Sequence, residues 1–140
     1  MTIASEKDQT IQIGESIGSQ SRDTGFANWN RYAAVNDEFV PIHMDDEAGR
    51  AAGMPGAFGM GNLQLSYLHA LLREWAGDGG RIKKLAVQFR KPNTKGRVTA
   101  TGIVTGVTTI ATGSAVELEV WTENESGDRL ATGTATVEFA

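Results

Sequence analysis

Hydrophobic positions along the chain change their period once, near Gly79-Gly80. Before that point, from about Gly61 to Trp75, the residues Leu63, Tyr67, Leu68, Leu71, Leu72 and Trp75 recur at three- to four-residue spacing. Leu65 widens that stripe, and Gly77 stands where a helix-ending residue belongs, so the pattern predicts one long, mostly buried helix. Beyond Gly80 the period is two. Ile82, Leu85, Val87 and Phe89 predict a first strand, Arg97 to Ile110 a long second, and Val116, Leu118, Val120 and Trp121 a third. Leu130, Ala131 and Thr134 to Phe139 predict a fourth, with a bulge at Gly133. Pro92-Asn93, Thr112-Gly113 and Ser126-Gly127 supply the turns between them.

The first sixty residues carry weaker signals. The first ten are polar and expected to be loose, and Ile11 and Ile13 suggest a short strand or extended lead-in before Gly14. Thr24 is a candidate cap for a helix from about Ala27 to Val35, with Trp29, Tyr32 and Ala33 on one face and Asn36-Asp37 ending it. Asp45, followed by Asp46 and Glu47, reads as the N-cap and acidic first turn of a short helix ending at Gly53, with a Pro55-Gly56 turn after it. One buried helix and four strands joined by short connections make an α+β domain, residues 1–140, in which an antiparallel sheet wraps a single helix. Such a sheet keeps free edges, so a dimer is expected.

Composition narrows the class. The chain is 40% hydrophobic and 21% charged, as globular proteins are. It has no cysteine and two histidines, which leaves little for a structural metal site and nothing for a thiolate nucleophile. The net charge of −4 argues against a nucleic-acid partner. The N-terminus lacks a signal-peptide pattern and no apolar run would span a membrane, so a cytoplasmic protein is expected.

The chemistry concentrates between Tyr32 and Gly61. Asp37 and Glu38 offer carboxylates, Pro41 fixes an extended Val40, His43 follows, and Gly61 opens the long helix. A carboxylate and a histidine facing a helix N-terminus form an acid-base pair beside an oxyanion site. The plain reading of each residue stands beside this one. Loop carboxylates are usually solvated, His69 reads as an ordinary helix residue, and Trp29, Trp75 and Trp121 read as core or interface.

The segment resembles the MaoC-like acyl dehydratases and (R)-specific enoyl-CoA hydratases, which have the hot-dog fold. That family's loop runs aromatic, spacer, Ser-Gly-Asp-x-Asn-Pro-(Ile/Leu)-His, then an acidic short helix, and later His-Gly-Met-Leu at the start of the central helix. Tyr32, Pro41-Ile42-His43, Asp45 to Gly53 and Gly61-Asn62-Leu63 match it. Aligned without a gap, Asn36, Asp37, Glu38 and Val40 fall on the family's Ser, Gly, Asp and Asn, and Met60 on the His before the helix Gly. The working carboxylate is then Glu38, or Asp37 if the loop bulges by one residue. Glu reaches about one ångström further than Asp, and misplacement on that scale can cost about 100-fold in rate.

The resemblance implies a lyase that interconverts a trans-2-enoyl thioester and a 3-hydroxyacyl thioester of CoA or an acyl carrier protein. Gly61 would bind the thioester oxygen, and Glu38 (or Asp37) and His43 would share one water. Asn36, Pro41, Gly59 and Met60 would shape the substrate site, with Arg90 and Lys91 near the phosphorylated pantetheine tail. It implies no metal and no cofactor beyond the thioester itself. The implied partners are a second copy or a related hot-dog subunit, with neither nucleic acid nor membrane. Two rivals are a hot-dog thioesterase and a non-catalytic subunit of a heteromeric dehydratase.

Overall fold

The structure is a computed structural model that describes residues 11–140; the expected loose segment at residues 1–10 lies outside them. Five strands, β1 (Ser16–Thr24), β2 (Gly80–Phe89), β3 (Gly96–Ile110), β4 (Gly113–Asn124) and β5 (Arg129–Phe139), form one sheet in the order β1-β3-β4-β5-β2. Every neighbouring pair is antiparallel. Three helices precede β2: α1 (Phe26–Asn36), α2 (Asp46–Ala51) and α3 (Gly61–Ala76), with a 3-10 turn at Pro41–His43. This is the hot-dog arrangement, with α3 inside the sheet's concave face and touching all five strands.

The apolar stripe of α3 explains its position. Leu63, Tyr67, Leu68, Leu71, Leu72 and Trp75 are all buried, as their spacing requires. They meet Val98 and Val104 of β3, Val116, Leu118 and Val120 of β4, and Val137 and Phe139 of β5 in one core. Each large apolar side chain withdrawn from water there contributes about 1.5–3 kcal/mol. Trp75 packs edge-on against Phe139, ring centres 5.6 Å apart. The helix ends at Gly77, whose N–H donates to Arg73 O at 3.1 Å. Among the described residues no helix is long and apolar enough to cross a membrane.

Four sequence expectations change. The lead-in at Ile11 and Ile13 is not a strand; the first strand starts at Ser16 and buries only Ile17 and Thr24. Thr24 does not cap α1, because its hydroxyl donates to Gly96 O (2.8 Å) and ties β1 to β3. Gly25 occupies the N-cap, its N–H donating to the Asn28 carboxamide oxygen (2.9 Å). Gly133 is not a bulge, since it pairs in register with both Val87 and Val120. The irregularities fall at Ile82/Lys84, Val104/Gly106, Thr122/Glu123 and Ser16/Ser19 instead, where they add the local twist that lets the sheet curl round α3. Finally, α2 closes at Ala51, two residues before Gly53.

The connection from α2 to α3 is laid against the rest by backbone bonds. Asp45 Oδ2 caps α2 by accepting from Ala48 N–H (3.1 Å), as expected from sequence. Asp46 Oδ1 accepts from Ala57 N–H (3.0 Å), and both its oxygens lie 2.8 Å from Lys95 Nζ. Phe58 N–H donates to Ile42 O (3.2 Å) and Gly59 N–H to Asn93 O (2.7 Å). Gly49 packs so closely on this segment that a Cβ there would sit 2.0 Å from Gly56 O.

Two outcomes follow from this packing. Gly49→Ala forces backbone apart and should lower stability by about 1–3 kcal/mol, read by urea unfolding. The Lys95 hydrogen bond, followed by the Ala57 N–H, holds the Asp46 carboxyl below the usual carboxylate range. A depressed carboxyl adds stability above its unfolded value, about pH 3.9, and loses it as the pH falls through the folded value. The melting-temperature gap between wild type and Asp46→Asn should therefore close as the pH drops below about 4; a gap independent of pH would show that the Asp46 charge is not involved.

Candidate functional site

The loop from α1 to α2 carries the expected acid-base residues. Asn36 ends α1 with its Nδ2 donating to Tyr32 O (3.1 Å), and Asp37 caps the helix in the left-handed region at φ 53°. Asp tolerates that backbone better than most residues, and glycine takes it freely. Glu38 follows, half-buried, its N–H on Ala33 O (3.0 Å). Its charge is felt at Tyr32: burial first, then Glu38, push the Tyr32 phenol above its ordinary value, while a hydrogen bond with Ser66 opposes them.

His43 is buried at the end of the Pro41–His43 turn, which Pro41 starts with its fixed φ. Its Nδ1 lies 2.7 Å from Phe58 O, and its ring meets the Phe58 ring edge-on at 5.2 Å. A carbonyl only accepts, so Nδ1 carries the proton and, in the neutral ring, Nε2 is the basic nitrogen. Phe58 in turn leads through Gly59 and the fully buried Met60 to Gly61, the first residue of α3.

A cavity of about 330 Å³ opens at this helix N-terminus. Phe58, Gly59, Gly61 and Phe89 line it, Arg90 and Lys91 stand on its rim, and Gln64 and Asn93 add amides to its wall. The Phe89 ring lies over Gly61 so closely that a Cβ there would come within 2.8 Å of it. The first N–H groups of α3 have no acceptor within the helix, and its dipole places positive potential there. Arg90 Nε also donates to Thr132 Oγ1 (3.2 Å), and Lys91 Nζ lies 3.4 Å from Asp128, an exposed pair of small energetic weight.

A second cavity, about 520 Å³, flanks the other side of α3 and is lined by Tyr32, Asn36, Leu63, Ser66 and Tyr67, with Arg22 close by. The Arg22 guanidinium lies over the Tyr67 ring at 4.8 Å, and burial raises the Tyr67 phenol against that charge. Thus Gly59, Gly61, Arg90 and Lys91 meet on one cavity and Asn36 faces the other, while His43 lines neither and is tied to the first through its bond to Phe58 O. Met60, Pro41, Asp37 and Glu38 line neither of these two. His69 is exposed on α3. Among the described residues no three His, Asp or Glu side chains gather as metal ligands would.

Sequence reasoning passed over Gln64, Asn93 and Phe89. Gln64 left a signal: it falls four and seven residues before Leu68 and Leu71, so a polar residue interrupts the buried stripe. Asn93 left none, because a Pro-Asn pair reads as a turn.

Comparison with known proteins assigns the chain to a family. A family model described as the MaoC like domain matches residues 7–125. No curated protein matches the sequence. Among solved structures, the (R)-hydratase from A. caviae involved in PHA biosynthesis is 24% identical, with a TM-score of 0.82 over 94% of this chain and 99% of that one. The R-hydratase PhaJ1 from Pseudomonas aeruginosa, in its unliganded form, is 16% identical with a TM-score of 0.83, covering 94% and 84%. A chain of the ChsH1-ChsH2 complex from Mycobacterium tuberculosis is 19% identical with a TM-score of 0.80, covering 92% and 98%. With the model spanning most of its length and the fold shared throughout, the chain belongs to the MaoC-like dehydratase family.

Proposed function

We propose that the protein hydrates a trans-2-enoyl thioester to a 3-hydroxyacyl thioester and catalyses the reverse dehydration. The observation that carries this reading is the buried His43, oriented by the carbonyl of Phe58, a residue that lines the cavity at the N-terminus of α3. The thioester oxygen would sit at the Gly61 N–H, where the helix N-terminus favours the charge that develops on the enolate. A water shared by Glu38 and His43 adds its hydroxide to Cβ, and its proton reaches Cα through that pair, so one water accounts for every atom gained. The reaction calls for neither metal nor redox cofactor. Asp37 in the left-handed region supports the ungapped assignment, because the family pattern carries Gly at that position and the next residue is then Glu38.

Arg90 and Lys91 at the rim suit an anionic phosphate on the thioester's carrier, CoA or an acyl carrier protein. The edge of β2, which among the described residues pairs only with β5, suits a second copy or a related hot-dog subunit; one structural neighbour comes from a two-component complex. The replacements at Glu38 and Met60 keep a non-catalytic subunit as the second reading. Incubation with a trans-2-enoyl-CoA and, separately, with a saturated acyl-CoA separates the readings: loss of enone absorbance means a hydratase, release of free thiol a thioesterase, and neither a subunit.

His43→Ala should lower hydration by roughly 100- to 10,000-fold with the fold intact by circular dichroism; unchanged turnover would make His43 a bystander. Glu38→Gln should remove most activity, since an amide can hold the water but cannot take its proton, while Asp37→Asn should do much less. Steady-state kinetics of the two variants side by side checks the assignment, and the reverse order of losses would move the base to Asp37.

A further inference from the structure

Gln64 lies one turn into α3 on the face that carries Leu68 and Leu71, and is only 3% exposed. Thr122 Oγ1 lies 2.5 Å from its Oε1 and itself accepts from Ala131 N–H at 3.2 Å. The hydroxyl has one proton, and the Gln64 oxygen is what receives it. Turning the amide round would leave that proton with no acceptor. The orientation leaves Gln64 Nε2 buried with no partner among the described residues, on a side chain that lines the cavity at the α3 N-terminus. Asn93 is a second buried amide on the same cavity, although the Thr24 proton, already held by Gly96 O, fixes no orientation for it. It is 3% exposed, its Oδ1 is 3.3 Å from Thr24 Oγ1, and its Nδ2 is unpartnered.

Among the described residues neither Asp nor Glu lines this cavity. Among those residues its polar side chains are Gln64, Asn93, Arg90 and Lys91; the two cations can only donate, and the Gln64 amide presents its N–H. A buried donor without an acceptor costs free energy that a hydrocarbon tail cannot return and an oxygen can. Along the helix Gln64 stands about 4.5 Å beyond Gly61. With the thioester oxygen at Gly61, its amide meets the acyl part of the substrate a few carbons further on.

We propose that this cavity selects thioesters whose acyl group carries its own oxygen acceptor, a keto or hydroxyl oxygen bound by Gln64 Nε2. The inference rests on the hydratase reading only for where the thioester lies. The test uses heptanoyl-CoA and its analogue with a keto group on the carbon next to the terminal methyl. Both are saturated thioesters, which bind whether or not the chain catalyses hydration. By calorimetric titration the full-length wild type should bind the ketone about 10-fold more tightly, and Gln64→Leu should erase that preference. Because Leu strands the Thr122 proton, the double variant Gln64→Leu, Thr122→Val restores an apolar pair of similar shape, and it should behave as the single variant does. Hydration of the two matching trans-2-enoyl-CoA thioesters is followed alongside. A binding preference without hydration keeps the acyl subsite and removes the hydratase reading. Equal affinities in the wild type, a preference that survives Gln64→Leu in a folded protein, or no binding of either thioester overturns the proposal.

Discussion

Burial of one long helix against a single sheet governs everything else in this molecule. The stripe on α3 is too broad to be covered by a flat surface, so the sheet has to curve until all five strands reach the helix. Register shifts in β1, β2, β3 and β5 accommodate that curvature locally while the ladders on either side stay paired. The same geometry leaves the N-terminus of α3 at an open end of the sheet. Its first N–H groups cannot be satisfied within the helix, and the residues that gather there define the chemistry available.

What gathers there is set by a short series of polar bonds. Lys95 holds Asp46, Asp46 holds Ala57, Ile42 holds Phe58 and Asn93 holds Gly59. Close contact of Gly49 with Gly56 allows α2 to sit down on this segment. Phe58 is therefore fixed on both sides, by its own N–H on Ile42 and by its carbonyl on His43. A histidine and a helix N-terminus that come from separate parts of the chain are brought into one rigid relation, as acid-base chemistry on a single bound water would require.

The departures from the family's loop pattern have structural counterparts. Asp37 occupies a left-handed helix cap, a position glycine fills without strain, which leaves Glu38 to project from the next residue. Met60, where the family carries His, is wholly buried and fills core space. Polar groups enter elsewhere, at Gln64 and Asn93, so the cavity is less purely apolar than a hydrocarbon tail would need.

Elements whose own residues carry a strong period could be placed from the chain alone. The helix at Gly61 runs only one residue past its expected end, the four C-terminal strands fell close to their expected spans, and Asp45 capped its helix, because side-chain alternation and local capping are decided within a few residues. The first strand was missed because, at the sheet edge, it buries only Ile17 and Thr24 and so has little alternation to show. The loop's Pro-Ile-His and the Gly of α3 were legible as candidates, since their residue types and order are local facts. Tertiary structure alone decided that Thr24 would hold Gly96 and not cap a helix, that Lys95 would clamp Asp46, and that Gln64 and Asn93 would share a cavity wall. These are contacts between residues far apart in the chain, and a period records which face of an element is buried without recording what it is buried against.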